Sequence, residues 1–100
     1  MTVYETLAVH RGEILALAAR HGATNVRVFG SVARREADAE SDVDLLVDLL
    51  PGRGLLDLGA LLIDLRELLG LQVDVVTPAG MHERMRGRAL AEAVPLERVA

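Results

Sequence analysis

The 100-residue chain predicts an α/β domain in which helices pack on a small sheet of about three strands. Three observations carry that expectation. Short β-prone runs alternate with segments whose apolar residues recur at helical spacing. Glycines and prolines fall where those segments should stop. Hydrophobic residues make up 51% of the chain, enough for a packed core, and no repeat, linker or low-complexity stretch divides it. A single domain over residues 1–100 is expected.

The elements follow in order. Residues Thr2 to His21 read as one helix, with Leu7, Ile14, Leu17 and Ala18 on one side and Gly22 at the C-terminal cap. Val26 to Phe29 is a short strand that stops at Gly30, and Ser31 to Ala37 is a short helix. Asp38 to Ser41 is a polar loop. Val43 to Leu49 is a second strand with Val43, Leu45, Val47 and Leu49 on one face and Asp42, Asp44, Leu46 and Asp48 on the other. Pro51 to Gly54 is a turn. Leu55 to Leu69 is a helix with a narrow polar stripe of Asp57, Ala60, Asp64 and Glu67, closed by Gly70. Gln72 to Thr77 is a third strand ended by Pro78, Met81 to Ala93 a last helix, and Pro95 to Ala100 a tail.

Composition narrows the function. The net charge of −4 argues against sequence-independent contact with a nucleic-acid backbone. Without cysteine there is no disulfide or thiolate metal site, and a reducing cytoplasm fits. The N-terminus lacks the basic-then-apolar order of a signal peptide, and no apolar run is long enough to span a bilayer. His10, His21 and His82 show no metal spacing and read as ordinary surface or helix-end residues. Arg84, Arg86 and Arg88 read as a solvated helix end, with contact to a nucleotide or an acidic partner as the alternative. The apolar arc of Leu55 to Leu69 is wide for one small sheet, so part of it is expected to pack on a partner or a second copy.

The chemistry lies in Gly30-Ser31, a ten-residue spacer, and Asp42-Val43-Asp44. A glycine–serine step between strand and helix exposes backbone N–H groups and a hydroxyl donor, which suits a phosphate. Period-2 geometry puts Asp42 and Asp44 on one face, where their repulsion calls for a cation. Oxygen-only ligands select a hard ion, and Mg²⁺ is the usual companion of nucleotide phosphates. Asp74 sits in Val73-Asp74-Val75-Val76, and a carboxylate in so apolar a run needs a partner or a metal. If the third strand lies beside the second, Asp74 joins the same site. Asp48 shares the parity of the pair but lies too far along the strand, and reads as a surface or helix-contacting residue.

This pattern resembles the signature of the polymerase-β-like nucleotidyltransferase superfamily. Gly30-Ser31-Val32-Ala33-Arg34 and the ending Leu90-Ala91-Glu92-Ala93-Val94-Pro95-Leu96 look like its minimal members, the antitoxin halves of pairs whose toxin is a HEPN-type ribonuclease. The resemblance covers nearly the whole chain and implies a small mixed sheet. It implies that Gly30 and Ser31 hold the β- and γ-phosphates of ATP and that Asp42 and Asp44 bind two Mg²⁺ ions. Asp74 would ligate one metal and help deprotonate the attacking hydroxyl, and Arg34 would sit near the phosphates. The implied reaction is transfer of AMP to a tyrosine of the toxin. One departure is Arg35, where many relatives have glycine, a change expected at the entrance to the phosphate site. The competing expectations are an antitoxin that only masks its toxin, and a small nucleotidyltransferase acting on a metabolite or an RNA end.

Overall fold

The computed structural model describes residues 1–99. Ten elements follow one another: α1 (Val3–Val9), α2 (Arg11–Arg20), β1 (Ala23–Phe29), α3 (Gly30–Ala33), β2 (Val43–Leu49), α4 (Leu55–Leu69), β3 (Val73–Val76), α5 (Glu83–Glu92), β4 (Val94–Pro95) and α6 (Leu96–Val99). A 3₁₀ turn over Pro78–Gly80 leads into α5. Among the described residues no helix is long and apolar enough to cross a membrane.

The sheet is mixed and has four strands in the order β3-β2-β1-β4. β1 runs antiparallel to both neighbours, while β2 and β3 run parallel. The expected three strands are all present. The fourth, Val94–Pro95, falls where the expected last helix gives way to the expected tail. It is only two residues long, and its proline is tolerated because β4 is an edge strand. Leu96 and Val99, three apart on α6, are buried, and that apolar pair holds α6 on the domain. Ala100 lies outside the described residues.

Other boundaries also move. The first helix is two helices, broken at His10, which caps the end of α1 and the start of α2. Gly12, a weak helix former, lies two residues further on. β1 starts three residues early, at Ala23, and its pairing with β2 shifts between Thr24 and Arg27. Asn25 takes the left-handed conformation there (φ 51°), which asparagine tolerates. α3 ends at Ala33, because Arg35 also turns left-handed (φ 61°). Gly70 closes α4 with φ 65°, as its sequence position implies.

The two sheet faces are covered unequally. Val28, Val43, Leu45, Val47 and Val73 point to one side, where they are buried against Leu7, Ile14, Ala18, Leu61, Leu65, Leu69, Leu96 and Val99 from α1, α2, α4 and α6. His21 Nε2 and Asp64 Oδ2, 2.7 Å apart, tie α2 to α4 across that layer. On the other side Phe29 and Leu46 pack only with Ala89 of α5, with Val76, Met81 and Ala93 around them. The carboxylates stand on this second, partly covered face.

Candidate active site

Register decides which acidic groups meet. Asp44 is paired directly with Asp74 across the parallel β2–β3 ladder and with Phe29 across the antiparallel β1–β2 ladder. Directly paired residues project to the same face, so Asp44 and Asp74 stand side by side on strands about 4.8 Å apart. The valines around Asp74 belong to the opposite parity: Val73 and Val75 point into the main core. That alternation explains how a carboxylate fits an apolar run. Asp74 is well exposed (56% of its side chain), and its Oδ1 lies 3.6 Å from Arg66 Nη2. Asp42 precedes β2 and is exposed.

The electrostatics show the convergence. The Asp44 carboxyl is pushed up from 3.8 to about 6, first by burial and then by the negative charges of Asp74, Asp42 and Glu92. Arg34 offsets this only in part. Such a group becomes easier to ionise beside a cation. The donor set of Asp42, Asp44 and Asp74 offers carboxylate oxygen alone, which matches a hard divalent ion. Among the described residues no three acidic or imidazole side chains close into a ready-made metal cage. Mg²⁺ bound with a nucleotide needs only one or two carboxylates beside the phosphates and water.

Gly30 is required where it is. Its φ is +73°, and a Cβ there would collide with the Asp44 carboxylate. α3 therefore begins flush against β2, with Gly30 N–H facing the acidic groups. That N–H donates to Glu92 Oε1 at 2.8 Å. Arg34 Nη1 lies 3.2 Å from both Glu92 carboxylate oxygens, and Arg34 Nε donates to Glu36. These two carboxylates raise the Arg34 pKa above its ordinary value. For Glu92, burial acts to raise the carboxyl, but the Gly30 bond and Arg34 outweigh it and hold the group below the ordinary carboxylate value.

A cavity of about 590 Å³ opens over this face. Of the residues singled out in the sequence, Gly30, Arg34, Asp44 and Asp74 line it, whereas Ser31 and Asp42 do not. Arg84 and Arg88 of α5 are exposed along its wall. Arg86 turns away, donating to the carbonyls of Pro78 and Met81 to hold the 3₁₀ turn on α5. Asp48 is outside the site, paired with Arg27 and Asn25. His10 pairs with Glu13 and His82 caps α5. Arg35 does not line this cavity. Its guanidinium lies 4.7 Å over the Tyr4 ring and bonds the Val99 carbonyl, so the expected change at the entrance is not found.

Glu92 and Arg66 escaped the sequence reading. Glu92 left one signal: it is an acidic residue in the last turn of a helix, where the carbonyl ends disfavour negative charge, so it needs compensating donors. Arg66 left none, because an arginine on an exposed helix turn is ordinary.

Residues 14–96 match the model of the nucleotidyltransferase domain family. The chain is 42% identical over 82 residues to MJ0435 of Methanocaldococcus jannaschii, whose name proposes a protein adenylyltransferase; the match spans 82% of this chain and 88% of that one. It is 39% identical over 88 residues to the protein adenylyltransferase MntA of Thermococcus cleftensis, spanning 88% and 86%. A solved structure presented as a proposed minimal nucleotidyltransferase superposes with TM-score 0.82 at 52% identity, over 92% of this chain and 94% of that one. A toxin–antitoxin crystal structure with AMP-PNP shares the fold at 18% identity, TM-score 0.72, over 85% of this chain and 70% of that one.

Proposed function

The chain belongs to the nucleotidyltransferase domain family and is an enzyme with its minimal fold; from that premise we propose that it transfers AMP from ATP to a tyrosine hydroxyl of a HEPN-type ribonuclease toxin and so acts as its antitoxin in the cytoplasm. The observation that carries this reading is the direct pairing of Asp44 with Asp74 beside Gly30. The names of MJ0435 and MntA support a protein as acceptor. The structural neighbour crystallised as a toxin–antitoxin with AMP-PNP supports an adenine nucleotide as donor and a toxin as partner.

In this reading Asp42, Asp44 and Asp74 hold two Mg²⁺ ions. Bound there, the ions would neutralise charge on the phosphates and make the attacking hydroxyl more acidic. Gly30 N–H and the Ser31 hydroxyl donate to the β- and γ-phosphates, and Arg34 adds positive charge beside them. Asp74, exposed at the mouth of the site, accepts the proton of the acceptor hydroxyl. The hydroxyl oxygen then bonds the α-phosphorus, the bond to the bridging oxygen breaks, and pyrophosphate leaves. Positioning and charge neutralisation supply most of the rate. Leu55 and Leu56, 84% and 91% exposed at the start of α4, offer apolar surface to the partner.

ATP labelled at the α-phosphate and, separately, at the γ-phosphate tests this with the product of the neighbouring gene as acceptor. Label should enter that protein from the α position only, and the Asp42→Asn, Asp44→Asn double variant should transfer none. An unlabelled yet inhibited partner would show that the chain neutralises by masking.

A further inference from the structure

Two of the three groups assigned to phosphate, Gly30 N–H and Arg34, are already engaged. Gly30 N–H donates to Glu92 Oε1 at 2.8 Å, and Arg34 holds both oxygens of the same carboxylate at 3.2 Å. A carboxylate on these donors is an anion held as a phosphate oxygen would be. Its side chain is 19% exposed and sits among the site's other anions, and its charge contributes to the burden on Asp44. β4 follows α5 after one residue, so the backbone at Glu92 is anchored to the sheet and only the side chain is free to leave.

We propose that Glu92 is a specificity-determining residue that occupies the pyrophosphate seat of the free enzyme, so that ATP and pyrophosphate bind against it and AMP does not. This rests on the reading that Gly30 and Ser31 receive the β- and γ-phosphates. A ligand whose phosphates reach Gly30 N–H must displace the Glu92 carboxylate and separate it from Arg34. A ligand with only an α-phosphate, held at the aspartates, leaves the contact intact. The same competition returns once chemistry is over. Glu92 regains Gly30 and Arg34 as pyrophosphate departs, which speeds product release and discourages reversal of the transfer. Glu92 ends α5 and Arg34 caps α3, so the carboxylate needs only a rotamer change to clear the seat.

Calorimetry of the wild-type chain, Glu92→Gln and Glu92→Ala with pyrophosphate, ATP and AMP in the presence of Mg²⁺ tests the proposal. Glu92→Gln keeps the shape and removes the charge, and thermal melts establish that each variant is folded. Both variants should bind pyrophosphate and ATP about tenfold more tightly than wild type, with AMP affinity unchanged. Equal or weaker binding of pyrophosphate and ATP by both variants overturns the proposal and makes Glu92 a support for α3. An equal gain for AMP overturns it too, since the effect is then general relief of negative charge. Ser31→Ala separates the underlying reading. If Ser31→Ala leaves ATP affinity intact in the wild-type background, the phosphate assignment itself has failed, whatever Glu92→Gln does.

Discussion

Replacing Asp44 by asparagine should stabilise the free protein while abolishing transfer. The Asp44 carboxyl is raised from 3.8 to about 6, chiefly by burial, then by Asp74, Asp42 and Glu92. At neutral pH the fold therefore carries an ionised group that it disfavours, by up to about 3 kcal/mol. Asp44 is half-buried rather than fully enclosed, and solvent screening lowers that to about 1–2 kcal/mol. Because the folded value lies above the unfolded one, the native state binds more protons between pH 4 and 6, and stability falls as pH rises through that window. Asparagine resembles the neutral carboxyl and escapes the penalty. Asp44→Asn should thus raise the melting temperature at pH 7.5 by roughly 5–15 °C for a domain of this size. The gain should shrink to about a third at pH 4.5, where the wild-type carboxyl is mostly protonated in the fold. Millimolar Mg²⁺ should raise the melting temperature of wild type and not of the variant. A variant as stable as wild type or less so at pH 7.5, or a gain independent of pH, would mean that burial among like charges is not the dominant feature of this carboxyl.

Other perturbations separate the site from its frame. Gly30→Ala should cost about 1–3 kcal/mol in urea melts and eliminate ATP binding, since φ +73° strains alanine and its Cβ displaces the Asp44 carboxylate. Arg35→Ala loses the stack on Tyr4 and the bond to the Val99 carbonyl, and should destabilise the fold by about 1–2 kcal/mol with ATP affinity unchanged by calorimetry. Leu55→Ser with Leu56→Ser should alter stability by no more than about 0.5 kcal/mol each, because both side chains are exposed, yet weaken co-elution with the proposed partner protein in size-exclusion chromatography. Unchanged co-elution would place the partner surface elsewhere.

The sequence made the framework legible wherever a period was sustained. β2 alternates except at Leu46, and Leu55 to Leu69 shows a long apolar arc closed by glycine; both elements match residue for residue. The juxtaposition of Asp44 with Asp74 was conditional in the sequence, because parity fixes a face but not a neighbour. Only the parallel register of β2 and β3 turns it into a pair. What escaped was non-local or short. β4 has two residues and draws its definition from β1, so no period could announce it. The break at His10 leaves the apolar spacing of Leu7 and Ile14 intact, and periodicity could not reveal it. Arg35 holds the left-handed turn after α3, a conformation glycine adopts readily, and no local pattern announces that turn. Glu92 reaches Gly30 across 62 positions, a contact that no local pattern encodes.

Asp42, Asp44 and Asp74 are proposed to act as one divalent-cation site. Electron paramagnetic resonance of Mn²⁺, titrated into the chain with a non-hydrolysable ATP analogue, counts the bound ions directly. Wild type should bind two, and Asp42→Asn, Asp44→Asn and Asp74→Asn should each lose at least one. If Asp74→Asn, carried on the neighbouring strand, retains both ions at wild-type affinity, the two strands do not share a metal site and the assignment is wrong.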